Sequence, residues 1–270
     1  MIQHTYTSIS VEYSHQNKIA TVTLRRPEVH NAFNEQIIDE LTTAFTNLSL
    51  DERLHGVVLT GDGASFSAGA DLSMMKSATN FTHEQNLDDA LRLADLLSLI
   101  NTFPCPVVGR VNGTAMGGGV GLVSVCDIVI AAESARFAFS EVKLGIAPAV
   151  ISPFVMHKVG ESNARALFVT GERFSATRAR EAGLVHSIVP LEHLDDAVEK
   201  ALHELLTSAP QALRACKELA LTVGQMDSTT ARRYTAETIA RLRVSDEGQE
   251  GLRSFLEKRK PAWVAQEDVK

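Results

Sequence analysis

The sequence predicts an α/β protein whose C-terminal region is entirely helical. Three observations carry that reading. Short apolar, strand-like runs at 19–24, 56–60, 106–111 and 127–132 alternate with stretches of helical spacing through residues 1–190. After Val189-Pro190 the strand-like runs stop, and four helical patterns follow at 191–208, 210–223, 229–243 and 246–258. Between two of the strand-like runs lies a stretch, 111–121, that contains the consecutive glycines Gly117, Gly118 and Gly119.

Composition bounds the function. The chain has 270 residues, 44% hydrophobic and 22% charged, which is ordinary for a globular protein able to bury a core. A net charge of −7 with nine scattered histidines leaves no electrostatic footprint for nucleic acid. Cys105, Cys126 and Cys216 show no metal spacing, each sits among apolar residues, and burial is expected for all three. The polar segment 1–15 lacks a basic and then apolar leader, and no apolar run approaches 18 residues. Neither a signal peptide nor a membrane span is therefore expected, and a cytoplasmic location is.

The elements follow in order. Residues 8–13 and 19–24 read as strands joined by the polar turn 15–18. Asn34 is a good N-cap for an amphipathic helix over 35–50, with Ile37, Ile38, Leu41, Phe45 and Leu48 on one face. The strand 56–60 leads into a second glycine- and alanine-rich loop, 61–72. Residues 74–86 are mixed in character and read as an irregular, pocket-lining segment. A helix is expected over 87–102, an extended piece over 136–139, and short helices over 141–144 and 152–159. The expected organisation is a body at 1–190 and a helical region at 191–270.

Two small-residue loops, 67–71 and 117–121, each end a strand and open a helix. Helix N-termini present N–H groups without intrahelical partners and carry partial positive charge, so such loops suit a developing oxyanion. Close helix–sheet packing explains glycine runs equally well. Other glycine-loop chemistries fail by inspection, because neither a phosphate-binding G-x-x-x-x-G-K-[ST] nor a well-framed G-x-G-x-x-G is present. Ser67 with Gly69 half-matches a nucleophile elbow, but position 65 is Ser where Gly is required.

Phe66-Ser67-Ala68-Gly69-Ala70-Asp71-Leu72, then Asn112-Gly113-x-Ala115-x-Gly117-Gly118-Gly119 and Cys126-Asp127-Ile128, resemble the enoyl-CoA hydratase/isomerase (crotonase) superfamily. Pro27-x-x-x-Asn31-Ala32 and Phe255-x-Glu257-Lys258-Arg259-Lys260 add to the match in the same order. The resemblance implies a crotonase-like spiral of ββα turns and a C-terminal helical trimerisation region, giving a homotrimer or a hexamer as a dimer of trimers. It implies an acyl-CoA thioester as substrate, with coenzyme A as part of that substrate and no separate cofactor or metal. By position, the N–H groups of Ala70 and Gly118 would hold the thioester oxygen, with Gly117 beside it. Glu28, Val29 and His30, together with Ala68, Gly69, Ala70, Asp71 and Leu72, would contact the CoA through backbone groups. Phe255 and Lys258 would close over the CoA nucleotide, often from a neighbouring subunit. The basic end of the chain would then be a phosphate partner; by itself it reads as a solvated helix end favoured by the dipole.

The carboxylates depart from the two-glutamate relatives. Those carry one Glu three residues past the oxyanion glycine and a second about twenty further on. Here the first place is Gly121 and the second is Glu141. Glu141 is therefore the expected acid/base. The segment 139–155 with 117–121 resembles bacterial methylglutaconyl-CoA hydratases, so hydration of a branched or carboxylated enoyl-CoA is the favoured reading. A double-bond isomerase using Glu141 alone, or a non-catalytic CoA-binding member, are the alternatives. Lys76 and Arg92 are candidates to meet a distal carboxylate.

Overall fold

The computed structural model describes residues 6–264. Part of the segment read as lacking a leader (residues 1–5), and the last residues of the helical region (265–270), lie outside the described residues. The elements in order are β1 (Ile9–Ser14), β2 (Ile19–Leu24), α1 (Glu35–Ser49), β3 (Gly56–Gly61), β4 (Ser65–Ser67), α2 (Leu72–Ala78) and α3 (His83–Asn101). There follow β5 (Val107–Val111), β6 (Thr114–Met116), α4 (Gly118–Ser124), β7 (Ile128–Ala132), β8 (Arg136–Ala138), α5 (Ser152–Thr170), β9 (Arg173–Ser175) and α6 (Ala176–Glu181). The chain ends with β10 (Ser187–Val189), α7 (Leu194–Thr207), α8 (Pro210–Thr222), α9 (Ser228–Val244) and α10 (Asp246–Leu256).

From β3 to β8, strands that follow one another alternate between two sheets. β1-β2-β3-β5-β7-β10 form the large sheet, antiparallel at β1–β2 and parallel elsewhere. β4-β6-β8-β9 form the small one. The pairs β3/β4, β5/β6 and β7/β8 each contribute one strand to each sheet before the chain leaves for a helical segment. Each pair is thus one turn of a ββα spiral, as expected.

Alternation along the strands explains the two-sided core. Val57 and Leu59 join the main core with Val107, Val111, Val129 and Ala131. Val58, Val108, Ile130 and Ala132 face the other way, where Leu194, Val198, Leu202 and Leu205 of α7 cover them. The first helix of the C-terminal region is therefore what dries the outer face of the large sheet. Among the described residues, no helix is long and apolar enough to cross a membrane.

Several expectations are corrected. The segment 74–86 is mostly helical: Asp71 caps α2, and Thr82 with Gln85 forms a capping box that starts α3 at His83. Met75 within it and Leu72 and Leu87 flanking it are exposed, so no amphipathic pattern announced it. The helix expected at 152–159 continues as α5 to Thr170 across a kink at Gly160 (φ 71°, ψ 161°). Cys105 and Cys126 are buried, but Cys216 is exposed on α8, an element of the polar C-terminal region.

Candidate active site

Two loops are laced together at the end of the small sheet. A 3-10 turn at Pro27–Val29 is followed by His30 and Asn31, both left-handed (φ 54°). Asn31 is buried, its amide donating to the carbonyls of Asp62 and Ser65 (both 2.8 Å) and accepting from the Arg26 N–H (2.9 Å). The next residues meet the 68–71 segment. Ala68 N–H donates to His30 O (2.9 Å), Phe33 N–H to Gly69 O (2.6 Å) and Asp71 N–H to Phe33 O (2.8 Å).

That bridge orients Ala70. In a parallel bridge the residue between the two paired groups turns its own N–H and C=O to the opposite side. The Ala70 N–H therefore faces away from Phe33. Asp71 is occupied structurally: its carboxylate caps α2 through the Ser73 N–H (2.8 Å) and pairs with Arg26 (2.8 Å). The hydrogen bonds from Ser73, then the Arg26 guanidinium, hold it below the usual carboxylate range against the effect of burial. Any contact it makes with a ligand falls to its backbone. Glu28, His30 and Leu72 are exposed, Val29 and Ala68 half-buried, and Gly69 buried.

The glycine run is divided between a helix start and close packing. Gly117 adopts φ 47°, ψ −119°, a conformation that favours glycine, and donates to Ala138 O (3.0 Å) as the chain enters α4. Gly118 is the first residue of α4, so its N–H has no acceptor within the helix. Gly119 and Gly121 serve packing instead. A Cβ on Gly119 would abut the Ser67 carbonyl of β4.

Glu141 lies in a 3-10 turn, Ser140–Leu144, that follows β8. Its Oε1 is 3.0 Å from the point where a Cβ on Gly117 would stand, so any side chain at 117 would crowd the carboxyl. Its Oε2 is buried and has no hydrogen-bond partner among the described residues. Burial raises the Glu141 carboxyl above the usual 4.5, only partly opposed by its own backbone N–H. An acid with raised pKa, a free oxygen and helix-terminal N–H groups nearby can move a proton next to a developing oxyanion.

The remaining expected residues are elsewhere. Phe255, 81% exposed, ends α10, and the exposed Lys258 follows it in the left-handed conformation (φ 55°). Their helix packs on α9, and neither side chain bonds to the Glu141 loops. Arg92 pairs with Asp39 (2.5 Å), with Glu35 and Asp89 also nearby, so it is not free for a substrate carboxylate. Lys76 is exposed in the last turn of α2. Phe33, Leu93, Leu97 and Ile151, which pack against Gly118 and Gly121, were not singled out by sequence. Only the apolar character of these residues was visible there.

A ββα spiral with two glycine-bearing loops and a half-buried carboxyl against the second of them is the crotonase fold, an architecture of CoA-thioester enzymes. The enoyl-CoA hydratase/isomerase family profile matches residues 14–266. Enoyl-CoA hydratase AKT6-1 of Alternaria alternata is 34% identical over 242 residues, 88% of this chain and 78% of that one. Among solved structures, an enoyl-CoA hydratase from Shewanella pealeana is 40% identical with a TM-score of 0.91, covering 95% of this chain and 96% of that one. Pseudomonas aeruginosa AtuE is 32% identical with a TM-score of 0.93, covering 96% and 100%. The chain belongs to the enoyl-CoA hydratase/isomerase family and is an enzyme of that family.

Proposed function

We propose that the protein hydrates an α,β-unsaturated acyl-CoA, with Glu141 as its acid/base and the N–H groups of Ala70 and Gly118 as the oxyanion hole. The observation that carries this reading is the Glu141 carboxyl against Gly117, one oxygen unpartnered and its pKa raised. As a water oxygen bonds to Cβ, its proton passes to Glu141 and the π electrons shift onto the thioester oxygen, held by the two N–H groups. The enolate then takes a proton from Glu141 at Cα, which regenerates the carboxylate and the thioester. Each oxyanion donor is worth about 3 kcal/mol in the transition state.

The acyl group of this proposal is branched or carboxylated, a reading supported by the local motif 139–155 and by Lys76, which pairs with no carboxylate among the described residues. The 28–30 and 68–72 backbones hold the CoA, and Phe255 and Lys258 cover its nucleotide. A homotrimer, alone or paired as a hexamer, is supported by the exposed Leu252, Phe255 and Leu256 on one face of α10. A second reading, double-bond isomerisation, is favoured by the single carboxylate.

A panel of straight, branched and carboxylated enoyl-CoAs tests this, followed through the absorbance of the conjugated thioester. Loss of absorbance means hydration, and a gain from a 3-enoyl substrate means isomerisation. No change with any of them would overturn the reading.

A further inference from the structure

Gly117 and Gly121 stand four residues apart, at the entry of α4 and one turn along it. The Gly121 N–H donates to Gly117 O at 3.1 Å, which sets the two positions one turn apart although Gly117 itself is not helical. Glu141 covers the first. Ile151 covers the second, its Cγ2 only 2.5 Å from where a Cβ on Gly121 would stand, with Leu97 Cδ1 at 3.5 Å. The entry of α4 therefore meets a carboxyl at Gly117 and, one turn further, hydrocarbon at Gly121. Ile151 is 3% exposed and stands at the N-cap of α5.

We propose that Ile151 is a positioning and specificity-determining residue: packed into the Gly121 notch, it keeps water and any second polar group from that flank of Glu141 and closes the acyl pocket there. The inference rests on Glu141 being the acid/base. Hydrocarbon beside a carboxyl disfavours its charged form, in keeping with the raised Glu141 value. Charged neighbours do not account for that rise. α4 carries no charged residue, and the Lys143 side chain is turned to Gly171. On α5, Lys158 donates to Cys126 O and Arg165 pairs with Glu161, while His157 is exposed.

The test compares wild type, Ile151→Val and Ile151→Ala in the full chain. The Glu141 carboxyl is titrated by 13C NMR, and kcat and KM are measured against pH for enoyl-CoAs differing by one methylene. With Ile151→Ala, water reaches the carboxyl and its titration, with the acid limb of kcat/KM, moves down by about one pH unit, the usual scale of environmental shifts. Preference shifts toward the substrate with the extra methylene by about tenfold, and Ile151→Val falls between. Folded variants that keep both the wild-type titration and the wild-type ranking would overturn the inference. If wild type turns over none of the substrates, the functional reading falls by itself, and the NMR titration still decides the role of Ile151.

Discussion

Lys217 on α8 donates to Asp127 Oδ2 at 2.7 Å, and the same oxygen accepts the Val107 N–H at 2.7 Å. One carboxylate thus ties the first residue of β5 and the residue before β7 to a helix 90 positions further on. The Lys217 side chain is 6% exposed and that of Asp127 27%. Asp127→Asn leaves the buried Lys217 ammonium, whose other partner is Cys105 O (3.3 Å), without a counter-charge and is expected to cost about 3–5 kcal/mol, as broken buried pairs do. Lys217→Met leaves Asp127 its N–H donor and partial access to water, so it costs less. Urea midpoints at pH 7 order the two variants, and the reverse order would refute the argument.

Glu141→Gln removes the proposed proton carrier and is expected to lower kcat by about 10²–10⁴-fold, with CoA affinity near normal. Its effect on stability has the opposite sign. The Glu141 carboxyl is raised in the folded state, so above pH 4.5 ionisation favours the unfolded chain. The variant should therefore match or exceed wild type at pH 7, by on the order of 1 kcal/mol, as relieved functional sites do. The advantage should vanish below pH 4.5. Thermal unfolding at pH 4 and pH 7 provides the comparison.

Gly121→Ala places a methyl against Ile151 and should destabilise by about 1–3 kcal/mol through overpacking. Ile151→Ala, which removes the crowding Cγ2, should cost less in this background than in the wild-type chain. The two changes must therefore be non-additive in a double-mutant cycle; additive costs would mean that the two positions do not compete for one volume.

Glu40 holds the start of β1, accepting from the N–H groups of Thr7, Ser8 and Ile9. Burial by itself raises its carboxyl, but the Thr7 and Ser8 donors together outweigh this and hold it below 4.5. A lowered folded-state value gives stability that is present above pH 4.5 and lost as pH falls through the folded value. Hydrogen exchange over residues 7–14 should quicken in acid, and Glu40→Gln should show the same fraying already at pH 7.

Lys258 ends α10 in a Schellman turn: Arg259 N–H bonds to Ser254 O (3.0 Å) and Lys258 N–H to Phe255 O (3.2 Å). The left-handed position there suits glycine, and a lysine in it costs about 1–2 kcal/mol. Lys258→Gly should therefore stabilise the protein while raising KM for CoA thioesters, if the ammonium meets the nucleotide. An unchanged KM would remove Lys258 from the binding proposal.

The large-sheet strands β2, β3, β5 and β7 were legible because each is a compact apolar run, and α1 because Asn34 caps a clear apolar stripe. The three-residue strands β4, β6 and β9 are too short to show a period. α2 and the first turn of α3 were obscured because Leu72, Met75 and Leu87 face outward, leaving little contrast between faces, whereas the rest of α3 was expected as the helix 87–102. At the candidate site, the glycine loops and Glu141 stand out as residue types in a pattern. The contact of Ile151 with Gly121 joins residues thirty apart and exists only once α5 docks on α4.

The sequence of α4, Gly-Gly-Val-Gly-Leu-Val-Ser, has a consequence for how the enzyme is made. Three glycines at about 1 kcal/mol each, in a helix of seven residues, leave it no stability of its own. It exists only when β4, Phe33 and Ile151 press on it from their places in the finished fold. During refolding, the donor at Gly118 would thus be aligned among the last features of the molecule. Recovered turnover should trail the return of far-ultraviolet ellipticity, which makes catalysis a gauge of completed assembly.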